Sequence, residues 1–368
     1  MKIVITIQHP AHVHFFKHAI RLLERAGHRV DVFARVKDLV PYLLDAYGID
    51  HTILADEPTS KRGIPLTQLR YEYRLLAACR RIRPDVIVSI GGPASTHVAS
   101  LCGATSLLFT DTEHARFELA LSVPFADRVY TATSFQEDLG DHQIRYPGFH
   151  ELAYLHPNRF EPADGIRSAY GIDPDRKLVV IRQISWDAAH DVGHSGFDSL
   201  ETLVSGLEAE DVQVRITAEG GLPPRLEPYG VSVPPERLHD LLYHADVLVG
   251  ESGTMTIESA VLGTPVVFVS SYDAGVIQEL ESTYGLVHTP EGDDRTAAAV
   301  ACAKRVLGTE PAVWERRRRR LLDDKIDMTA YIVDQIRELD GASDRRRPEA
   351  RVERTEATPP EAQVASNR

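Results

Sequence analysis

The sequence predicts an α/β protein built of two doubly wound domains that face each other across a cleft. Three observations carry that prediction. Short β-branched runs alternate with helix-patterned stretches along most of the 368 residues, as in parallel sheets covered by helices. The alternation pauses once, at residues 146–157, a stretch rich in Pro, Gly and aromatics, and then restarts. The chain is also too long for one ordinary core, since domains average about 150 residues. The expected division is a first Rossmann-like domain over 1–150, a second over 151–340, and a tail over 341–368.

In the first half, residues 2–7, 29–33, 85–90, 106–109 and 128–131 read as buried parallel strands. Between the first two, Val13, Phe16, Ala19, Ile20 and Leu23 recur at helical spacing. Gly27 stands where a helix ends in a left-handed residue. Residues 65–83 pattern as a helix that stops before Pro84, because proline disfavours helical backbone in the residue before it. In the second half, 177–182, 212–217, 247–249, 266–269 and 286–288 read as strands. Helices are expected over 195–207, 235–243, 256–262 and 295–307. One long helix over 311–339 follows, and Ile326, Ala330, Val333 and Ile336 give it an apolar face. That face predicts a helix crossing back onto the first domain. Residues 341–368 hold almost no large apolar side chain and cannot offset their ordering entropy, so they read as disordered.

Hydrophobic residues make up 43% and charged residues 26%, the balance of a globular chain in water. No apolar run approaches the roughly 20 residues that span a bilayer. The chain opens directly on a strand pattern with no secretory signal, so the expected location is the cytoplasm. A net charge of −13 excludes a general nucleic-acid binder. Cys79, Cys102 and Cys302 lie far apart without CxxC spacing, which excludes a disulfide scaffold and indicates no zinc site.

The strongest local signal lies within 246–269. A strand ends at Val249, and the loop Gly250-Glu251-Ser252-Gly253-Thr254 opens a helix at about Met255. Small residues let backbone amides approach an anion, and the helix start adds unsatisfied donors and the positive end of its dipole. Ser252 and Thr254 add hydroxyls. Glu258 follows Thr254 by four residues on the same helix face, where its carboxylate can accept from sugar hydroxyls. A plain turn with Ser252 or Thr254 as helix cap is the other reading of the same residues.

This segment, closed by Gly263-Thr264-Pro265, resembles the donor-nucleotide motif of the GT-B glycosyltransferase superfamily. It is similar to the corresponding segment of the peptidoglycan N-acetylglucosaminyltransferase and of the UDP-N-acetylglucosamine 2-epimerases. The resemblance implies that the loop holds a diphosphate and the helix glutamate a ribose. The epimerases carry a Ser-Gly-Gly loop with adjacent glutamates, whereas this chain has Ser252-Gly253-Thr254 and a single Glu258 followed by Ser259. To about residue 335 the chain also resembles the family known as domain of unknown function 354. The matching pieces are Gln8-His9-Pro10-Ala11-His12-Val13-His14-Phe15-Phe16, Asp111-Thr112-Glu113-His114, Tyr146-Pro147-Gly148-Phe149-His150-Glu151, Leu155-His156-Pro157 and Ser252-Gly253-Thr254-Met255. That likeness implies a GT-B-like fold and brings no established reaction with it.

Further residues with chemistry stand at other strand ends. His9, His12 and His14 follow the first strand. His12 reads as a general base or an acceptor-binding donor, or as a substitute helix cap; His9 and His14 read as acceptor-side groups. Gly91 and Gly92 form a second glycine turn; it resembles the second glycine loop of the peptidoglycan N-acetylglucosaminyltransferase, which implies an acceptor-side loop, and the other reading is a tight turn needing close backbone approach. Asp111, Glu113 and His114 are titratable groups at the end of a strand, where active sites collect, and read as catalytic; Asp111 or Thr112 can equally cap a helix. In the second half, Arg182 ends a strand and can neutralise a diphosphate. Trp186 and His190 read as a substrate loop and Glu219 as a base-pocket residue. No metal site is expected: His190 and His194 lack the HExxH glutamate. Arg316–Arg320 form a run that is either a solvated helix or a patch for anionic lipid headgroups.

These readings converge on a glycosyltransferase that needs no metal and no cofactor. Its donor is a nucleotide-diphosphate sugar, with UDP-sugars favoured, and a lipid-linked acceptor at the membrane surface is one option. The alternatives are a nucleotide-sugar 2-epimerase and a non-catalytic nucleotide-sugar-binding protein.

Overall fold

All strand pairs among the described residues are parallel. The computed structural model describes residues 1–56, 63–184, 196–218, 220–270 and 274–346, with backbone alone at 64 and 341–346. The chain runs β1 (Lys2–Ile7), α1 (Pro10–Arg25), β2 (Arg29–Arg35), α2 (Val40–Ala46), β3 (Thr52–Ala55), α3 (Ile64–Ile82), β4 (Val86–Ile90), α4 (Pro93–Cys102), β5 (Thr105–Phe109), α5 (Arg116–Ser122), β6 (Arg128–Ala132) and β7 (Gln143–Tyr146). It continues through α6 (Leu152–Leu155), α7 (Ile166–Ala169), β8 (Leu178–Gln183), α8 (Leu200–Glu208), β9 (Gln213–Ala218), α9 (Leu238–Tyr243), β10 (Val247–Gly250), α10 (Gly253–Leu262), β11 (Val266–Phe268), α11 (Gly275–Ser282), β12 (Val287–His288), α12 (Arg295–Leu307), α13 (Pro311–Asp324) and α14 (Met328–Arg346).

The first sheet has seven strands in the order β3-β2-β1-β4-β5-β6-β7, and the second has five in the order β12-β11-β10-β8-β9. Strand order reverses between β1 and β4 in one sheet and between β8 and β10 in the other. The fold is therefore a pair of doubly wound Rossmann-like units. Crevices that hold ligands open at the carboxyl ends of the strands at such reversals. Along β1, Ile3, Ile5 and Ile7 pack with α1 residues Val13, Phe16 and Leu23, while Val4 packs with Tyr71 and Leu75 of α3. Both faces are buried, as an apolar parallel strand requires.

The long helix expected over 311–339 is two helices. They break at Lys325–Asp327, where Asp327 Oδ1 accepts from Ala330 N at 3.1 Å and the carboxylate pairs with Arg159 at 2.7 Å. α14 packs on α1 and α6, burying Met328, Ile332, Val333 and Ile336, and Tyr130 of β6 donates to Gln335 Oε1 at 2.9 Å. The break rotates the buried face, so Ile326 and Ala330, expected within it, lie at its margin. α14 also runs to Arg346, past position 341 where the sequence predicts disorder to begin. Residues 347–368 of that expected tail lie outside the described residues.

Three of the five consecutive arginines on α13 donate to backbone carbonyls, Arg317 and Arg318 from half-buried positions and Arg320 from an exposed one. Arg317 donates to Gly285 O, Arg318 to Val261 O and Arg320 to Thr283 O, at 2.6, 3.2 and 3.0 Å. They cap carbonyls at the C-terminal ends of α10 and α11, where cations are favoured.

The two units meet at Gly275, the first residue of α11. A Cβ there would collide with the Ser134 carbonyl oxygen, and its N–H donates to Glu113 Oε2 at 3.4 Å. Gly275→Ala is expected to cost roughly 1–3 kcal/mol of stability, the usual range for overpacking. Urea unfolding measures it; an unchanged midpoint would contradict so close an approach.

Candidate active site

At the β8/β10 reversal, Gly250 pairs in register with Arg182, and a Cβ on Gly250 would press on the Arg182 Cβ at 3.3 Å. This brings Arg182 beside the loop that follows. Glu251 is buried: its carboxylate accepts from Ile184 N at 3.2 Å and Phe197 N at 2.7 Å. Ser252 is extended and its hydroxyl accepts from Met255 N at 3.4 Å, so it caps α10. Gly253 and Thr254 form the first turn, with Thr254 exposed. Amides in a first turn have no intrahelical acceptor, which leaves them available to an anion.

Glu258 lies one turn further on and is buried. Its Oε1 accepts from Tyr154 Oη at 2.8 Å and from His239 Nε2 at 2.9 Å. The group that the sequence places at a ribose is thus engaged by α6 and α9. His14, placed by the sequence on the acceptor side, belongs to the same cluster. Its ring lies 5.1 Å from Tyr154 and 5.0 Å from His239, and Tyr47 Oη bonds its Nδ1 at 3.2 Å. Lys17 sits 4.4 Å over the Tyr47 ring, and burial pushes its ammonium down to about 8, with Arg21 adding to the effect and Glu258 opposing it.

At the β1/β4 reversal, the capping role that the sequence offers to His12 falls to His9, whose Nδ1 accepts from Ala11 N at 3.3 Å. His12 Nδ1 instead accepts from Gln8 N at 3.4 Å, so a neutral His12 ring carries its proton on Nε2 and is a donor. Burial, followed by the neighbouring His9, holds the His12 imidazole well below its ordinary value, though Asp111 opposes this. Gly91 and Gly92 have φ of +56° and +80°, and a Cβ on Gly92 would meet Gln8 Nε2 at 2.6 Å. Both the turn and the close approach demand glycine there.

Asp111 follows β5 and pairs with His150 Nδ1 at 3.0 Å; its side chain is 42% exposed while His150 is 7% exposed. Burial would raise its carboxyl. The His150 imidazole and the Thr112 hydroxyl, which donates at 3.0 Å, outweigh that and hold it well below the usual carboxylate range. Glu113, read from sequence as catalytic, is a buried brace: its carboxylate accepts from Gln136 N at 2.8 Å and from Gly275 N. His114 is exposed on the same turn. Asp111 and His12 are therefore brought together, whereas Glu113 is turned to the contact between the two units. Glu219, Trp186 and His190 lie outside the described residues.

Four groups in this region were given no role from sequence: His150, Glu151, Tyr154 and His239. Glu151 is 4% exposed. Burial, followed by the Asp111 and Glu258 charges, pushes its carboxyl well above the ordinary value. His150 and Glu151 stand in the 146–151 motif; the Tyr154–Glu258–His239 contact joins three distant segments and leaves no local signal. Among the described residues no group of three or more His, Cys, Asp and Glu is arranged to hold a metal, and no helix is long and apolar enough to cross a membrane.

The fold is that of the GT-B nucleotide-sugar enzymes. The UDP-GlcNAc 2-epimerase of Neisseria meningitidis, solved with UDP-GlcNAc, superposes with a TM-score of 0.64 at 11% identity over 92% of this chain and all 100% of that one. The glycosyltransferase SsfS6 of Streptomyces sp. SF2575, solved with thymidine diphosphate, gives 0.61 at 14% identity over 92% and 99%. Spinosyn forosaminyltransferase SpnP gives 0.61 at 17% identity over 93% and 99%. The chain belongs to the family described as a protein of unknown function, DUF354, which matches residues 1–283. A relative in Methanocaldococcus jannaschii, the uncharacterized protein MJ0665, is 24% identical over 303 residues, covering 77% of this chain and 86% of that one.

Proposed function

We propose that the protein is a glycosyltransferase that moves a sugar from a nucleotide-diphosphate donor, a UDP-sugar in the favoured case, to an acceptor hydroxyl. The observation that carries this reading is Asp111: an ionised, solvent-reachable carboxylate held by a buried histidine at the carboxyl end of the first sheet. Two domains divide the work. In the second, the amides of Gly253 and Thr254, the Thr254 hydroxyl and Arg182 take the diphosphate. In the first, Asp111 accepts the acceptor's proton while His12 Nε2–H donates to a sugar or acceptor oxygen. The acceptor oxygen then bonds to the anomeric carbon, the bond from that carbon to the phosphate oxygen breaks, and the nucleoside diphosphate leaves with the electron pair. The helix start and Arg182 stabilise that charge. The site is cytoplasmic in this reading, and the use of three α13 arginines on backbone carbonyls reduces the case for a lipid-headgroup patch.

A second reading, nucleotide-sugar 2-epimerisation, draws on Glu151. Its carboxyl is pushed up and that of Asp111 is pulled down, the kind of split that an acid and base pair for isomerisation needs. Mass spectrometry and NMR of products from UDP- and dTDP-sugars, with and without hydroxyl acceptors, separate the two. Transfer requires an acceptor-dependent product; isomerised donor without acceptor marks the epimerase; tight donor binding with no product marks a binding protein. Activity is expected to survive chelator, because amides, hydroxyls and Arg182 carry the diphosphate charge. Loss with chelator and recovery with magnesium or manganese would contradict that assignment.

A further inference from the structure

The reversal point of the first sheet holds a row of donors with nothing to donate to. Ile7 pairs with Ala34 across β1 and β2, and Thr6 with Ser89 across β1 and β4. One level higher, Arg35, Gln8 and Gly91 therefore stand side by side. Alternation along the strands puts Arg35 on the face of Phe33 and Gln8 on the face of Thr6. Phe33 packs there with Tyr71 of α3, and Thr6 bonds Ser95 of α4 at 2.8 Å.

Gln8 is 9% exposed, and its Nε2 is buried without a hydrogen-bond partner. Arg35 Nε and Ser89 Oγ are buried and unpartnered as well, whereas the hydroxyl of fully buried Tyr71 lies against the Thr6 side chain. Tyr71 feels the Arg35 charge, which opposes the upward push of burial on its hydroxyl. Gln8 Nε2 lies against Gly92, the residue that starts α4. Glu118, the carboxylate that reaches this row, is held by Gly92 N–H. A guanidinium and an amide NH₂ are donors only, and the Ser89 hydroxyl can donate. Leaving such groups buried and unbonded is costly, and the partner that satisfies them together is an anion with several acceptor oxygens. The start of the ten-residue helix α4 lies alongside, with its Gly92 N–H already taken by Glu118, so the charge for the anion comes from Arg35.

We propose that this row binds an oxyanion, phosphate or carboxylate, carried by the second substrate, with Arg35 as its charge partner and Gln8 Nε2 as hydrogen-bond donor. The inference rests on the transferase reading for the identity of that substrate, but the anion site stands on its own geometry. Asp111 follows β5, the next strand beyond β4, so an acceptor anchored on Arg35 reaches the base along the edge of the sheet.

The test is thermal-shift titration with inorganic phosphate, and separately with acetate, in saturating UDP so that the second domain's loop is occupied. Wild type should show a saturable shift with at least one of the two ions. Phosphate alone assigns a phosphorylated acceptor, and acetate alone a carboxylate. Arg35→Gln should weaken the response at least tenfold, and Gln8→Met, which keeps the side chain's length but removes its donor, should weaken it severalfold. Arg319→Gln, on exposed α13, should leave it unchanged. An equal response in wild type and both site variants, or no response in wild type, overturns the proposal. UDP binding is expected to be unaffected by Arg35→Gln. If UDP binds neither protein while the Arg35-dependent phosphate shift persists, the donor reading fails and the anion site stands.

Discussion

Asp111→Asn is expected to lower turnover by roughly 10²–10⁴-fold, the usual cost of removing a general base. Asparagine preserves the shape and can still accept from His150 Nδ1, so the fold should be intact. What is lost is the negative charge that, in the proposed reaction, takes the acceptor's proton. Donor affinity should change less than about twofold, because the diphosphate loop lies on the other sheet. Because His150 and Thr112 hold this carboxyl well below its ordinary value, it stays ionised through the pH range where most carboxylates protonate. Steady-state rates with calorimetric titration of donor check both statements. Near-normal turnover in the variant would remove Asp111 from the chemistry.

Glu258→Ala is expected to cost about 3–5 kcal/mol of stability, the range for removing one partner of a buried ion pair or network. The truncation leaves the Tyr154 hydroxyl and His239 Nε2 buried without their acceptor, beside His14 and Lys17. Glu258→Gln keeps an acceptor oxygen and should recover much of the loss. Urea unfolding of both variants measures this. Stability within about 1 kcal/mol of wild type, combined with lost donor affinity, would return Glu258 to the ribose-binding role that the sequence suggests.

The contrast between these two carboxylates shows which features are local. Strand runs such as 2–7 and 295–307 as a helix are legible because periodicity records burial along one element. Asp111 was legible for the same reason: it ends a strand, and strand ends in this fold face the cleft. Glu113, two residues on, looks equivalent in sequence, yet it braces Gly275 across 162 positions. The short edge strands β3 and β7 went unread, since Thr52–Ala55 and Gln143–Tyr146 are four residues each and too short to set a period. The arginine run was visible, but its use on carbonyls of α10, α11 and the turn after α11 depends on how α13 docks. Glu258 was correctly placed one turn past the loop; its partners Tyr154 and His239 come from 104 and 19 positions away.

In the proposed reaction the β10–α10 loop holds the diphosphate of a nucleotide. A crystal structure of the protein with UDP tests it most directly. The expected result is the diphosphate within hydrogen-bond distance of the Gly253 and Thr254 amides, with the Arg182 guanidinium facing it and no metal bridging the phosphates. UDP bound elsewhere, with that loop empty at saturating ligand, would contradict the account.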